Sequence, residues 1–147
     1  MSIKSIMNTS VVFMPKNASV QEAARKMRDE NVGTIVVVNN GNAKEACGIL
    51  TDRDVALFLA KNTSIDGISI NELMSYPLIT LNADQGIKEL CLTMAESQVR
   101  RVVIMDEQNF VQGIASMDDL FLLLAGEMSD IKQAVESQAN KQQETLP

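Results

Sequence analysis

The chain has no histidine and no tryptophan, one tyrosine, four phenylalanines and two cysteines among its 147 residues. Without histidine there can be no His-dependent triad, no imidazole general base and no His-containing metal site. Cys47 and Cys91 stand far apart with no C-x-x-C spacing, so a zinc ion has no ligand set. Both are read as buried small hydrophobes. Basic residues number 13 against 19 acidic ones, a net charge of −6. That balance argues against a nucleic-acid binder that works by neutralising phosphates. The longest apolar runs, such as Val55 to Ala60, are too short to span a bilayer, and Met1 to Ile6 lack the apolar stretch of a signal peptide. A cytoplasmic protein with no membrane and no nucleic-acid partner is expected.

What remains is aliphatic. Hydrophobic residues make up 46% of the chain, nine of them Met. This length suits one ordinary domain or two small repeats sharing a core. Internal comparison favours the repeats. Ile3, Ile6 and Met7 recur 67 positions later as Ile70, Leu73 and Met74. The same offset relates Val12 to Ile79, Val20 to Ile87, Glu22 to Glu89, Met27 to Met94 and Ile35 to Val102. After the next turn the offset becomes 65, relating Gly48 to Gly113 and Asp54 to Asp119.

Each copy reads β-α-β-β-α. A short strand (about Ser10 to Met14; Leu78 to Leu81) precedes a helix with apolar residues at i, i+3, i+4 and i+7: Val20, Ala23, Ala24, Met27, and Ile87, Leu90, Cys91, Met94. Ser19 with Glu22 spells a capping box; Gly86 with Glu89 holds the same place in the second copy. Two strands follow as a hairpin, Thr34 to Asn39 and Glu45 to Leu50 around Asn40-Gly41, then Arg101 to Asp106 and Phe110 to Ser116. The last helices, from Val55 and Leu120, are apolar on every side for six residues. Such helices require burial all round, and a chain this small has too little interior for two, so self-association as a homodimer is expected. The fold class is therefore α+β: repeat 1 with its linker over 1–67, repeat 2 over 68–126, and a polar helical tail over 127–147. Met128, Ile131 and Val135 give that tail a thin apolar stripe. It reads either as a helix packed loosely on its own domain or frayed at its end, or as a dimer or partner contact.

Both copies place Gly-x-x-Thr/Ser-x-x-Asp at the last strand-to-helix turn: Gly48, Thr51 and Asp54, then Gly113, Ser116 and Asp119. A hydroxyl and a carboxylate three residues apart at a helix start can cap that helix. They can also point together at a small polar ligand. Duplication, the preceding glycine and the strand-to-helix setting favour a ligand role alongside capping.

On these residues the chain resembles a tandem CBS-domain protein (a Bateman module) over about Ser2 to Gly126. The resemblance implies an adenosine nucleotide in clefts between the repeats: AMP, ADP or ATP, ahead of S-adenosylmethionine or NAD. It implies Asp54 and Asp119 on ribose hydroxyls, Thr51 and Ser116 near phosphate, and the purine against Val12 or Ile79. Arg100 and Arg101 resemble the basic phosphate-contacting segment of kinase-associated gamma subunits in this family; the bland alternative is two solvated residues at a strand edge. Repeat 1 has Gly33-Thr34 there, and its Arg53 has no counterpart in repeat 2, so the sites are expected to be unequal. The expected function is a non-catalytic regulatory sensor, with no required cofactor or metal and a separate effector protein. One alternative is a structural or interaction dimer that binds nothing. Another is a metal-dependent nucleotide hydrolase using Asp52, Asp54, Asp118 and Asp119.

Overall fold

The computed structural model describes residues 1–39, 42 and 45–144. The elements are β1 (Phe13–Pro15), α1 (Val20–Glu30), β2 (Thr34–Val38), β3 (Ala46–Thr51) and α2 (Asp52–Lys61) in the first repeat. The second repeats the order as β4 (Thr80–Asn82), α3 (Ile87–Ser97), β5 (Arg101–Met105), β6 (Val111–Ser116) and α4 (Met117–Glu144). Each repeat makes a three-stranded sheet in which the middle strand pairs parallel to the first and antiparallel to the third. The turn expected at Asn40-Gly41 lies outside the described residues.

The middle strands explain their own composition. Ile35 and Val37 of β2 fill the core of the first repeat, while Val36 and Val38 point the other way into a layer shared with Val103 of β5. Likewise Val102 and Ile104 fill the second repeat's core. A strand buried on both faces reads as an unbroken apolar run, and the two sheets meet back to back through this valine layer.

The lead segments cross over. Ile3, with Ile6 and Met7 against it, packs among Leu90, Met94, Val102, Ile104 and Leu120, all of the second repeat. Ile70 reciprocally packs with Val20, Ala23, Ile35 and Leu50 of the first. The exchange is fixed by backbone pairs: Asn8 with Ile114 (2.8 and 3.0 Å) and Ile49 with Ser75 (3.2 and 2.9 Å). It also corrects the first strands. Instead of Ser10 to Met14 and Leu78 to Leu81, only Phe13–Pro15 and Thr80–Asn82 join the sheets, because the residues before them are drawn toward the opposite repeat.

Ser19 caps α1 by a full box: its Oγ accepts from the Glu22 N–H (3.1 Å), and Glu22 Oε2 accepts from the Ser19 N–H (2.8 Å). These bonds, the backbone one foremost, hold the Glu22 carboxyl below its usual range. Gly86 lacks a side chain, so α3 keeps half of the box, Glu89 Oε2 accepting from the Gly86 N–H at 3.1 Å. Two expectations of burial need correction. The inward stripe of these helices is narrow: Val20, Ala23 and Met27 are buried but Ala24 is exposed, and Cys91 is exposed beside buried Leu90. Cys47 is half-buried on β3. The apolar last helices, as their composition implied, are not enclosed within one chain. Among the described residues α2 has no buried side chain, and α4 has only Leu120.

Gly126 sits inside α4 with nothing within 4 Å of the position a Cβ would take. A helix-interior glycine costs about 0.5–1 kcal/mol relative to alanine. Gly126→Ala should therefore stiffen α4 and preserve its far-UV circular dichroism to a higher temperature.

Candidate functional site

Two clefts lie where the repeats meet. The first, about 260 Å³, takes Asn8, Ser10, Val11 and Val12 from the crossing lead segment and Asn31, Val32, Gly33 and Thr34 from the turn between α1 and β2. Repeat 2 closes it with Arg101, Ile114, Ser116 and Asp119. The turn is shaped by Asn31, whose φ of 53° ends α1 in the left-handed region, a conformation asparagine tolerates better than most residues.

The second cleft, also about 260 Å³, is the pseudo-twofold counterpart, lined by Ile49, Ser75, Tyr76, Pro77, Leu78, Ile79, Ser97, Val99, Arg101 and Val103. Arg101 thus lines both. It occupies in repeat 2 the place of Thr34, at the edge of the layer between the sheets, and its guanidinium has no ion-pair partner among the described residues.

The two Thr/Ser-x-x-Asp motifs part company here. Both act as helix caps. Thr51 Oγ1 accepts from the Asp54 N–H (3.2 Å), while Asp54 Oδ2 accepts from the Thr51 N–H (2.8 Å). Ser116 and Asp119 repeat this pair of bonds at 3.2 and 2.9 Å, and the Ser116 hydroxyl also donates to Asp119 Oδ2 at 2.6 Å. Ser116 and Asp119 then face the first cleft, and Asp119 Oδ1 makes no hydrogen bond among the described residues. Asp54 instead borders a third, more open groove with Leu57, Phe58, Lys61, Asn62, Glu72 and Leu73.

Of the residues singled out by sequence, the structure brings Val12, Arg101, Ser116 and Asp119 together in the first cleft, and Ile79 with Arg101 in the second. Thr51, Arg53 and Arg100 line none of the three. Arg100 turns outward to Asp118 at 3.5 Å, an exposed pair. Asn8, Ser10, Asn31 and Thr34 were missed by sequence. The only signal for Thr34 was its alignment with Arg101 across the repeat. Among the described residues no three His, Cys, Asp or Glu side chains gather as a metal site, and no helix is long and apolar enough to cross a membrane.

Two repeats with exchanged lead segments and ligand-sized clefts at their junction define a pseudo-twofold tandem module. The CBS domain family model matches it twice, over residues 3–61 and 70–126. The CBS domain-containing protein YhcV of Bacillus subtilis is 38% identical over 119 residues, 81% of this chain and 82% of its own. A homoserine O-acetyltransferase of Methanococcus vannielii is 28% identical over 118 residues, 80% of this chain but 24% of that protein. The CBS domain pair of protein MJ0100, solved in complex with 5′-methylthioadenosine and S-adenosyl-L-methionine, superposes with a TM-score of 0.75 at 25% identity, covering 86% of this chain and 98% of that one. The chain belongs to the CBS domain family and is a tandem CBS pair.

Proposed function

We propose that the chain is a non-catalytic regulatory module that binds an adenosine compound in the first cleft. One observation carries the reading: Asp119, with an unused carboxylate oxygen, and the unpaired Arg101 converge on a single cleft between the repeats. A carboxylate accepts from ribose hydroxyls, and a guanidinium takes a phosphate. The apolar patch formed by Val11, Val12 and Ile114 suits a purine face.

Size and charge narrow the ligand. At about 260 Å³ the cleft sits at the lower edge of small-molecule pockets, which start near ~300 Å³. That suits a nucleoside or its monophosphate better than a dinucleotide such as NAD. One arginine beside one aspartate matches AMP better than the triphosphate of ATP. The adenosyl ligands of the MJ0100 pair belong to the same class. Charge-assisted hydrogen bonds contribute roughly 1.5–3 kcal/mol each. Two or three of them, with purine burial, bring the total near the ~8 kcal/mol of a micromolar ligand.

Recurrence of the pair within a homoserine O-acetyltransferase, as a quarter of its length, supports an output passed to a catalytic partner. Ligand-driven output requires different affinities for two packings of the repeats. Leu57 and Leu59 of α2 and their repeat partners Leu122 and Leu124 of α4 are exposed, which supports a homodimer. The same exposure favours the second reading, a protein-interaction module.

Thermal unfolding with AMP, ADP, ATP, S-adenosylmethionine and NAD separates the two. Ligand at 100 times its Kd adds about 2.7 kcal/mol, a rise of several degrees at this chain length. AMP should give the largest shift at equal concentration. If none of the five compounds shifts the melting or binds by calorimetry, the sensor reading is lost.

A further inference from the structure

We infer that the outer length of α4 pairs with a second copy of this chain as a parallel, in-register two-stranded coiled coil. The family match ends at residue 126, yet the helix runs unbroken to Glu144. Along it Phe121, Leu124, Met128, Ile131 and Val135 fall at spacings of three, four, three and four residues. That is the a/d seam of a heptad, spanning about 21 Å of helix. All five are exposed in the single chain, from 48% at Leu124 to 71% at Met128. Between Gly126 and the helix end at Glu144, every position off the seam is polar, charged or alanine, so this stretch has one apolar stripe and no second face to bury.

Charge selects both occupant and direction. In this heptad frame Glu127 takes a g position and Lys132 the e position five residues on, the pair that meets across a parallel dimer. A second copy therefore supplies Lys132 to Glu127 and Glu127 to Lys132, twice by symmetry. In an antiparallel pair, the registers that bury the apolar seam set Glu127 against either Glu127 or Ala134 of the second copy. Lys132 is available: in the single chain it makes only a loose, exposed contact with Glu136 at 3.6 Å. Two heptads are short for free peptides. Here the helix is anchored in the fold through Leu120 and is continuous with the exposed Leu122 and Leu124.

This pairing does not rest on the cleft reading, and nucleotide titration of the same variants reads the clefts separately. Sedimentation equilibrium on the full chain should show a dimer. Ile131→Glu, at a solvent-exposed position, should weaken it at least tenfold without changing the melting of the folded module. Glu127→Lys should weaken it too, and adding Lys132→Glu should restore it. Direction is read by Gln138→Cys, a seam position, in a Cys47→Ser, Cys91→Ser background. A parallel pair brings the two introduced thiols together and oxidises to a covalent dimer. The inference is overturned by a monomeric wild-type chain. It is equally overturned by a dimer that survives Ile131→Glu but is lost in Leu57→Glu, or by a Gln138→Cys dimer whose introduced thiols do not join.

Discussion

Gly113→Ala is expected to lower the melting temperature by roughly 3–10 °C, a large stability loss for a single added methyl group. The cause is the crossing lead segment. A Cβ at Gly113 would stand 2.8 Å from the Asn8 carbonyl oxygen and 3.1 Å from the Met7 side chain. The oxygen belongs to backbone that exchanges two hydrogen bonds with Ile114, so it cannot swing aside without breaking the pair. Overpacking of this kind costs about 1–3 kcal/mol, and each kcal/mol is worth about 2–4 °C at this size. Gly48 is the pseudo-twofold counterpart, with Ser75 O at 3.0 Å and the Met74 sulfur at 2.6 Å. A thioether end can move, so Gly48→Ala should be milder. Asn8 and Ile114 also line the first cleft, so Gly113→Ala should weaken any ligand held there while Gly48→Ala spares it. Amide exchange at Asn8 and Ile114 would report the broken pair directly; an unchanged melting temperature would refute the account.

That glycine shows where sequence reading reaches and where it stops. The repeat itself was legible because one offset, 67, relates apolar positions up to the hairpin turn and a second, 65, relates those after it. The β-α-β-β-α order followed from periodicity and caps, which are local physics. What Ile3 and Ile70 are for was not legible. Periodicity marks them as apolar, but each fills the core of the other repeat, and no local rule says which core a segment joins. The motif glycine looked like part of a ligand signature, whereas its geometric reason is room for a crossing backbone. Arg100 and Arg101 are neighbours in sequence but part in space: Arg100, just ahead of β5, meets Asp118 outside, and Arg101, the first residue of β5, turns to the clefts. The apolar last helices were read as too many for one small interior, and Leu57, Phe121 and Leu122 do remain open in a single chain. Periodicity along one chain shows that these faces are apolar but not which surface would cover them.

The two motif aspartates offer the sharpest functional comparison, because their structural roles match and their surroundings do not. Asp119→Ala and Asp54→Ala each delete the acidic half of a capping box that also satisfies a backbone N–H, at 2.9 and 2.8 Å. Each should therefore destabilise its helix start by a similar amount, about 0.5–2 kcal/mol. Ligand binding should separate them. Asp119 lines the first cleft and has an oxygen to spare, so its loss removes a charge-assisted bond of about 1.5–3 kcal/mol, roughly a ten- to hundredfold fall in affinity. Asp54 faces the groove beside Lys61 and Glu72, so Asp54→Ala should leave that affinity within about twofold, under ~0.4 kcal/mol. Calorimetric titration of both variants with AMP gives the ratio, and melting without ligand gives the shared capping cost. Equal losses of affinity would mean that repeat 1 supplies ligand contacts as repeat 2 does, and that the asymmetry of the clefts has no functional weight. Arg101→Ala extends the same logic: it removes the one guanidinium common to both clefts and should depress AMP affinity as strongly as Asp119→Ala, with no cap lost and the unliganded melting temperature nearly unchanged.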